Sequence, residues 1–226
     1  DRMLDMGFKP QIEKILALVP KNRQTLLFSA TMPEDITKIA QKYMKSPTRV
    51  EVARAGTASE LVEQEVFIVP KADKLRLLEQ LLKEYKGTVL VFSRTKHGAK
   101  KICAAVKQMG HTSAELHSNR SLAQRKIALS GFKSGQYRVL IATDIAARGI
   151  DVKEIEVVIN FDLPDAPEDY VHRIGRTGRA NHSGKAISFT CPDQKRDLQS
   201  IERLIRLRLP VRELPPLPKS ESKVRE

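Results

Sequence analysis

The 226-residue sequence has two cysteines, Cys103 and Cys191. They lie far apart, outside any Cys-x-x-Cys pair and each in an apolar run, which argues against a disulfide framework or a thiolate metal site and for small core residues in a reducing compartment. No stretch approaches the roughly 18 unbroken apolar residues of a membrane span, and the N-terminus has no signal-peptide pattern. The expectation is a soluble, cytoplasmic protein. No two histidines have metal-ligand spacing, so no metal site is expected; His97, His111 and His182 read as surface residues. Most telling is the missing Gly-x-x-x-x-Gly-Lys-Ser/Thr loop. The nearest approach, Gly178 to Gly184-Lys185-Ala186, has the wrong spacing and lacks the magnesium-binding hydroxyl.

Acid is also scarce relative to base. Forty Lys and Arg stand against 27 Asp and Glu, a formal net charge of +13, while 41% hydrophobic residues suffice for a core. Such a balance favours polyanionic partners, nucleic acid first. The charge is concentrated: from Arg94 to Arg148 eleven basic residues face two acidic ones, Glu115 and Asp144.

From Pro10, the apolar positions Ile12, Ile15, Leu16 and Val19 predict a helix that Pro20 stops. A buried strand over Gln24 to Ala30, a helix from Pro33 with Ile36, Ile39, Ala40 and Tyr43 on one face, and a strand over Thr48 to Val52 follow. Residues 54–62 are small, polar and aperiodic, and read as a linker between a first piece, residues 1–53, and a domain over 63–209. In that domain β-branched runs (Gln64–Val69, Thr88–Phe92, Ser113–Leu116, Arg138–Ala142, Val157–Phe161, Ala186–Thr190) alternate with helical segments. One of these carries Leu75, Leu78, Leu82 and Tyr85 on one face; the last spans Arg196 to Leu209. The pattern predicts a doubly wound α/β fold, a parallel sheet of about six strands with helices on both faces and ligands at the strands' carboxyl ends. Residues 210–226, rich in proline and charge, read as a flexible tail.

The polar residues fall where that rule puts ligands. Ser93-Arg94-Thr95, His117-Ser118-Asn119 and Thr143-Asp144 each follow a strand, and Tyr170 to Ala180 (Tyr-Val-His-Arg-Ile-Gly-Arg-Thr-Gly-Arg-Ala) brings Arg173, Arg176 and Arg179 at three-residue intervals with thin backbone at Gly175 and Gly178. Guanidinium and hydroxyl groups on one sheet edge suit phosphate contacts that position a strand without reading its sequence. Taken singly, each also fits a turn, a cap or a solvated basic loop.

Ser29-Ala30-Thr31, Val91-Phe92-Ser93-Arg94-Thr95, Ala142 to Asp151 and His172 to Arg179 resemble, in order and approximate spacing, the DEAD-box ATP-dependent RNA helicases of superfamily 2. The start and the region after Ala180 look closest to bacterial RhlE-type members. Asp1 would then be the last letter of the name-giving motif. The resemblance runs from Asp1 to about Leu209 and implies the carboxyl-terminal RecA-like domain with a remnant of the amino-terminal one. It implies ATP with Mg2+ as the nucleotide and RNA, single-stranded or duplex, as a sequence-independent partner. Arg176 and Arg179 match the arginine fingers; Gly149 and Asp151 match positions at the nucleotide. Arg94, Thr95, Ser118, Arg125, Thr143 and Arg148 match the RNA-facing set, and Ser29, Thr31 and His172 the network that couples hydrolysis to unwinding. Ser118 replaces a usual glycine, and Leu122 a usual glutamine three residues before Arg125. Lacking a phosphate loop, the chain alone is expected to hydrolyse no ATP, and its first 53 residues are expected to be disordered or to pair with a second copy. A non-catalytic RNA-binding module and a DNA-directed relative are the competing readings.

Overall fold

The computed structural model describes residues 3, 7–29, 32, 34–50, 61–147, 150, 152, 155–178 and 183–217. The chain forms two compact units, Asp1–Thr57 and Ala58–Glu226.

In the first unit, helix α1 (Lys9–Leu18) has proline in its first turn and buries none of its residues. Helix α2 (Glu34–Tyr43) carries Glu34 and Asp35 in its first turn and Lys42 in its last, complementing the helix dipole, and buries Ile36. Lys42 Nζ meets Glu13 Oε1 at 3.1 Å, joining the two helices. The strands expected near 24–30 and 48–52 are not formed in their described parts, 24–29 and 48–50. Residues 24–29 alternate between exposed and half-buried, and Leu26 and Phe28 stand out at 69% and 89% exposure. The period-2 pattern is that of a strand, but a strand exists only where a neighbour completes its hydrogen-bond ladder, and none pairs with it among the described residues.

The second unit is built on seven strands: β1 (Val62–Ile68), β2 (Val89–Phe92), β3 (Ser113–Leu116), β4 (Val139–Ala142), β5 (Val157–Asn160), β6 (Gly184–Thr190) and β7 (Val211–Arg212). They lie in the order β3-β4-β2-β5-β6-β1-β7, and every pairing is parallel. Between them run α3 (Lys74–Glu84), α4 (Lys96–Gln108), α5 (Leu122–Lys133), α6 (Asp144–Ala147), α7 (Pro167–Ile174) and α8 (Lys195–Ile205). Alternate strand residues feed opposite layers. Val89, Val91, Val139, Ile141, Val157 and Ile159 pack on Leu77, Leu78, Leu81 and Leu82 of α3 and on Ile102 and Val106 of α4. Leu90, Leu140 and Val158 pack with Ala128 and Phe132 of α5, and Val62, Val66 and Ala186 with α7 and α8. Burial on both faces is why these strands read as unbroken apolar runs.

Several details differ from expectation. Leu75 is 37% exposed, because the buried stripe of α3 runs through Leu77, Leu78, Leu81 and Leu82 instead. The last helix stops at Ile205, where Arg206 turns left-handed, before Pro210 is reached. The seventh strand comes from the stretch read as tail: Val211 and Arg212 pair with Val66 and Phe67. Arg212 Nη1 bonds the buried Glu65 at 3.2 Å, and Leu217 packs against the α3 and α4 layer. Cys103 is buried with its sulfur 3.4 Å from Ser113 Oγ, whereas Cys191 is only half-buried. Among the described residues no helix is long and apolar enough to cross a membrane.

Candidate nucleic-acid interface

A wholly parallel sheet gathers all strand carboxyl ends on one edge. The four consecutive strands β3, β4, β2 and β5 end there, and their following residues are joined by a continuous network of hydrogen bonds.

Asp162, just past β5, is the hub. Its Oδ1 pairs with the buried Lys74 at 3.1 Å, and its Oδ2 accepts from Ser93 Oγ at 3.3 Å and from the Arg94 backbone N–H at 3.2 Å. The Arg94 side chain then reaches the Leu163 carbonyl and Asp165, each at 3.2 Å. Thr95 caps α4, its hydroxyl accepting from the Gly98 N–H at 3.0 Å. Lys96 Nζ donates to Asn119 Oδ1 at 3.1 Å, tying the loop after β2 to the loop after β3. Ser118, on that second loop, is exposed. A Ser121–Gln124 capping box starts α5 and thereby sets Arg125, whose Nη2 donates to the Ala146 carbonyl at 3.4 Å. Thr143 opens α6, accepting on its carbonyl from Ala146 and Ala147, while its own N–H binds the Leu116 carbonyl of β3. Arg94, Thr95, Ser118, Arg125 and Thr143 thus share one edge.

The arginine stretch divides in two. Arg173, grouped by sequence with the converging cations, is 1% exposed and points into the domain. Its fork is bidentate on Asp144 at 2.6 and 2.7 Å, with further bonds to Asn160 Oδ1 and the Asp162 carbonyl, and it lies 5.0 Å over the Phe92 ring. With four of its five N–H donors bonded inside the domain, this cation is an internal brace across β2, β4, β5 and α7 rather than a group presented to an outside ligand. Arg176 behaves differently. It is half-buried at the surface, with Nε on the His172 carbonyl at 3.2 Å and Nη1 on the Ile150 carbonyl at 2.9 Å. This brings it to the loop in which Gly149 and Asp151 flank Ile150. His172 sits on α7 with Nδ1 4.0 Å from Asp169. Ser29 lies in the first unit, half-buried. Thr31, Arg148, Gly149, Asp151 and Arg179 lie outside the described residues.

The glycines of this stretch serve the chain's own packing. Gly178 has φ +64°, and a Cβ there would strike Val62; a Cβ on Gly184 would overlap Thr177 and the Gly178 backbone. Gly175 has an ordinary φ of −65° and ends α7. Thr177 is buried and donates to the Ile155 carbonyl. Tyr170 is buried with its hydroxyl donating to Gln64 Oε1 at 2.9 Å, and burial pushes its pKa well up.

Two histidines also differ from their sequence reading. His111 is half-buried, with Nδ1 2.9 Å from Arg138, and burial followed by that guanidinium lowers its pKa. His117 is 4% exposed, so it supports the Ser118 loop from below. Its Nδ1 accepts the Asn119 N–H at 3.3 Å, which puts the proton of the neutral ring on Nε2, 3.5 Å from Glu115 Oε2; Glu115 in turn pairs with Arg120. Burial, then His97, Lys96 and Lys100, lower the His117 pKa. Sequence reasoning passed over Asp162 and Lys74. The post-strand rule pointed at Asp162 after β5, but Lys74 is separated from it by 88 positions and carries no motif.

A parallel α/β domain with basic and hydroxyl groups ranked along its carboxyl edge defines a nucleic-acid-acting module of the RecA-like kind. The model of the helicase conserved C-terminal domain matches residues 73–181, and that of the DEAD/DEAH box helicase matches residues 1–39. The chain is 43% identical over 206 residues to the ATP-dependent RNA helicase DbpA of Bacillus subtilis, covering 91% of this chain and 43% of that protein. The crystal structure of the E. coli DEAD-box protein SrmB, bound to the regulator of ribonuclease activity A, is 30% identical with a TM-score of 0.65, covering 73% of this chain and 99% of that one. The S. cerevisiae Dbp5 structure, bound to RNA and ADP BeF3, is 29% identical with a TM-score of 0.82, covering 91% of this chain and 55% of that one. The chain belongs to the DEAD-box family of ATP-dependent RNA helicases. It spans less than half the length of DbpA, and similarity at this level does not single out the RhlE type.

Proposed function

We propose that this chain is the part of an ATP-dependent RNA helicase that grips the RNA backbone and completes the ATP site of a phosphate-loop domain. The observation that carries the reading is the carboxyl edge: Arg94, Thr95, Ser118 and Thr143 follow three adjacent strands, β2, β3 and β4, and Arg125 stands near the start of α5, on a frame braced by the Asp162 hub and the Arg173–Asp144 pair. Rigidly mounted cations and hydroxyls hold phosphates at little ordering cost, and they read no base. Dbp5, similar in fold, carries RNA in its solved structure.

In the same reading Arg176 and Arg179 are the arginine fingers. Arg176 leaves its two carbonyl partners and places its fork on the terminal phosphate of ATP, neutralising charge that develops as the phosphoryl group transfers. Gly149 and Asp151 sit beside the nucleotide, and Ser29, Thr31 and His172 couple its hydrolysis to strand separation. The Mg2+ would arrive with the nucleotide, held by its phosphates; among the described residues no group of three or more His, Cys, Asp or Glu could hold a metal ion. With no phosphate loop in the sequence, the chain alone hydrolyses no ATP. A dimer through residues 1–53 belongs to the same proposal and is checked by light scattering.

The RNA reading is tested by fluorescence anisotropy with labelled poly-U. Arg94→Gln with Arg125→Gln should weaken binding roughly tenfold and lower the salt slope by about 1.4, at about 0.7 per lost phosphate contact. Unchanged affinity and slope would overturn it. Equal binding of DNA and RNA would favour the DNA-directed alternative, since only RNA offers the 2′-hydroxyl.

A further inference from the structure

The amino-end side of the sheet carries a basic concavity whose lining residues lie outside the motifs. Helix α8 starts after β6 at the carboxyl edge and runs back, so its own end lies toward the strands' amino ends. There Gln199, Glu202, Arg203, Arg206, Leu207 and Arg208 line a hollow of about 370 Å³. The three arginines are exposed and have no ion-pair or hydrogen-bond partner among the described residues. Elsewhere in this domain Arg76, Arg94, Arg120, Arg173 and Arg212 each face a carboxylate. Glu202, whose Oε1 accepts the Leu209 backbone N–H at 2.9 Å, is the one carboxylate of the lining, so three arginines against it leave a formal net charge of +2.

Arg206 adds a second indication. It takes the left-handed conformation, φ 55° and ψ 30°, at the end of α8, and the Leu207 N–H closes onto the Glu202 carbonyl at 3.2 Å. Helices that end this way usually place glycine there, because a Cβ is disfavoured in that region. Arginine contributes nothing to the cap that glycine lacks; what it adds is a third guanidinium over the hollow. Three arginines beside a single carboxylate leave an excess of positive charge on one concave surface, which favours an anion.

We propose that this concavity binds phosphates of the RNA backbone, a second contact zone on the side opposite the edge that carries Arg94, Ser118 and Thr143. Strands of four to seven residues separate the two zones by on the order of 15–20 Å at about 3.3 Å per residue. RNA entering or leaving the main groove is thereby held at both ends of the domain. The proposal rests on the RNA reading above.

The test is anisotropy titration of labelled poly-U onto the full chain across a salt series. It compares wild type, Arg203→Gln/Arg206→Gly/Arg208→Gln, and Arg94→Gln/Arg125→Gln. The triple variant should bind roughly tenfold more weakly and lower the salt slope by about 2, from three lost contacts. Arg206→Gly alone should weaken binding two- to threefold while leaving the thermal midpoint unchanged or raised, because glycine suits the left-handed position; a lowered midpoint would make Arg206 a structural cap and count against the site. Wild-type affinity and slope in the triple variant, with loss only in the Arg94/Arg125 variant, would overturn the second zone and leave the first standing. No RNA binding by the wild-type chain would overturn both.

Discussion

Removing Asp144 should unfold more than an ion pair. Arg173 is 1% exposed, and Asp144, itself 21% exposed, supplies two of the four hydrogen bonds that Arg173 makes among the described residues and, among these, its only carboxylate contact. Deleting one partner of a buried pair leaves an uncompensated charge and costs about 3–5 kcal/mol. Here the remaining bonds to Asn160 and the Asp162 carbonyl, with some solvent at Asp144, favour the low end, about 3 kcal/mol. At a urea slope of about 2–3 kcal/mol/M for a domain of this size, Asp144→Ala should move the unfolding midpoint down by roughly 1 M. Arg173→Met in the Asp144→Leu background removes both charges and should recover to within about 1 kcal/mol of wild type. The assay is urea denaturation followed by far-ultraviolet circular dichroism on Asp144→Ala and on the cycle of wild type, Asp144→Leu, Arg173→Met and the double variant. Additive costs, or an Asp144→Ala shift under about 0.3 M, would refute the assignment of Arg173 as an internal brace and return it to the ligand-facing set.

Other consequences are simpler to read. Ser121→Ala breaks the capping box that starts α5 and should cost about 1 kcal/mol in urea denaturation, with weaker RNA binding because Arg125 sits on the next turn. Gly184→Ala forces a methyl group into Thr177 and the Gly178 backbone, and should cost at least about 3 kcal/mol or abolish soluble expression. His117 and His111 have pKa values lowered by burial, so the unfolded chain binds their protons more readily than the folded one. Stability should therefore fall as pH drops below about 6.5, the ordinary histidine value; in a thermal series from pH 7.5 to 5.5, His117→Gln should flatten part of that fall, and an identical slope would refute the contribution of His117.

The sheet was legible because strands buried on both faces must be apolar throughout, as in Val139 to Ala142 and Val157 to Asn160, and the helices between them carry a 3.6-residue stripe. The carboxyl edge followed from topology alone. The sequence did not reveal which charges are used internally: Arg173 and Arg176 look alike in the motif, and only their three-residue offset on and beyond α7 turns one inward to Asp144 and the other outward. Lys74 and Asp162 meet across 88 positions with no local signal. The unformed strand at 24–29 failed for a different reason, since the apolar run Leu26-Leu27-Phe28 signals a buried strand but not the neighbours that would bury and pair it. β7 is two residues long and begins directly after a proline, so it has too little sequence to show a period.

The most direct test of the central claim is RNA-stimulated ATP hydrolysis by this chain, alone and mixed with a separately made first domain that carries the phosphate loop. Expected are no hydrolysis by the chain alone, hydrolysis in the mixture with RNA, and its loss with Arg176→Ala or Arg179→Ala while RNA binding persists. RNA binding without hydrolysis in any mixture, or hydrolysis indifferent to both arginines, would contradict the arginine-finger role and leave a non-catalytic RNA-binding module.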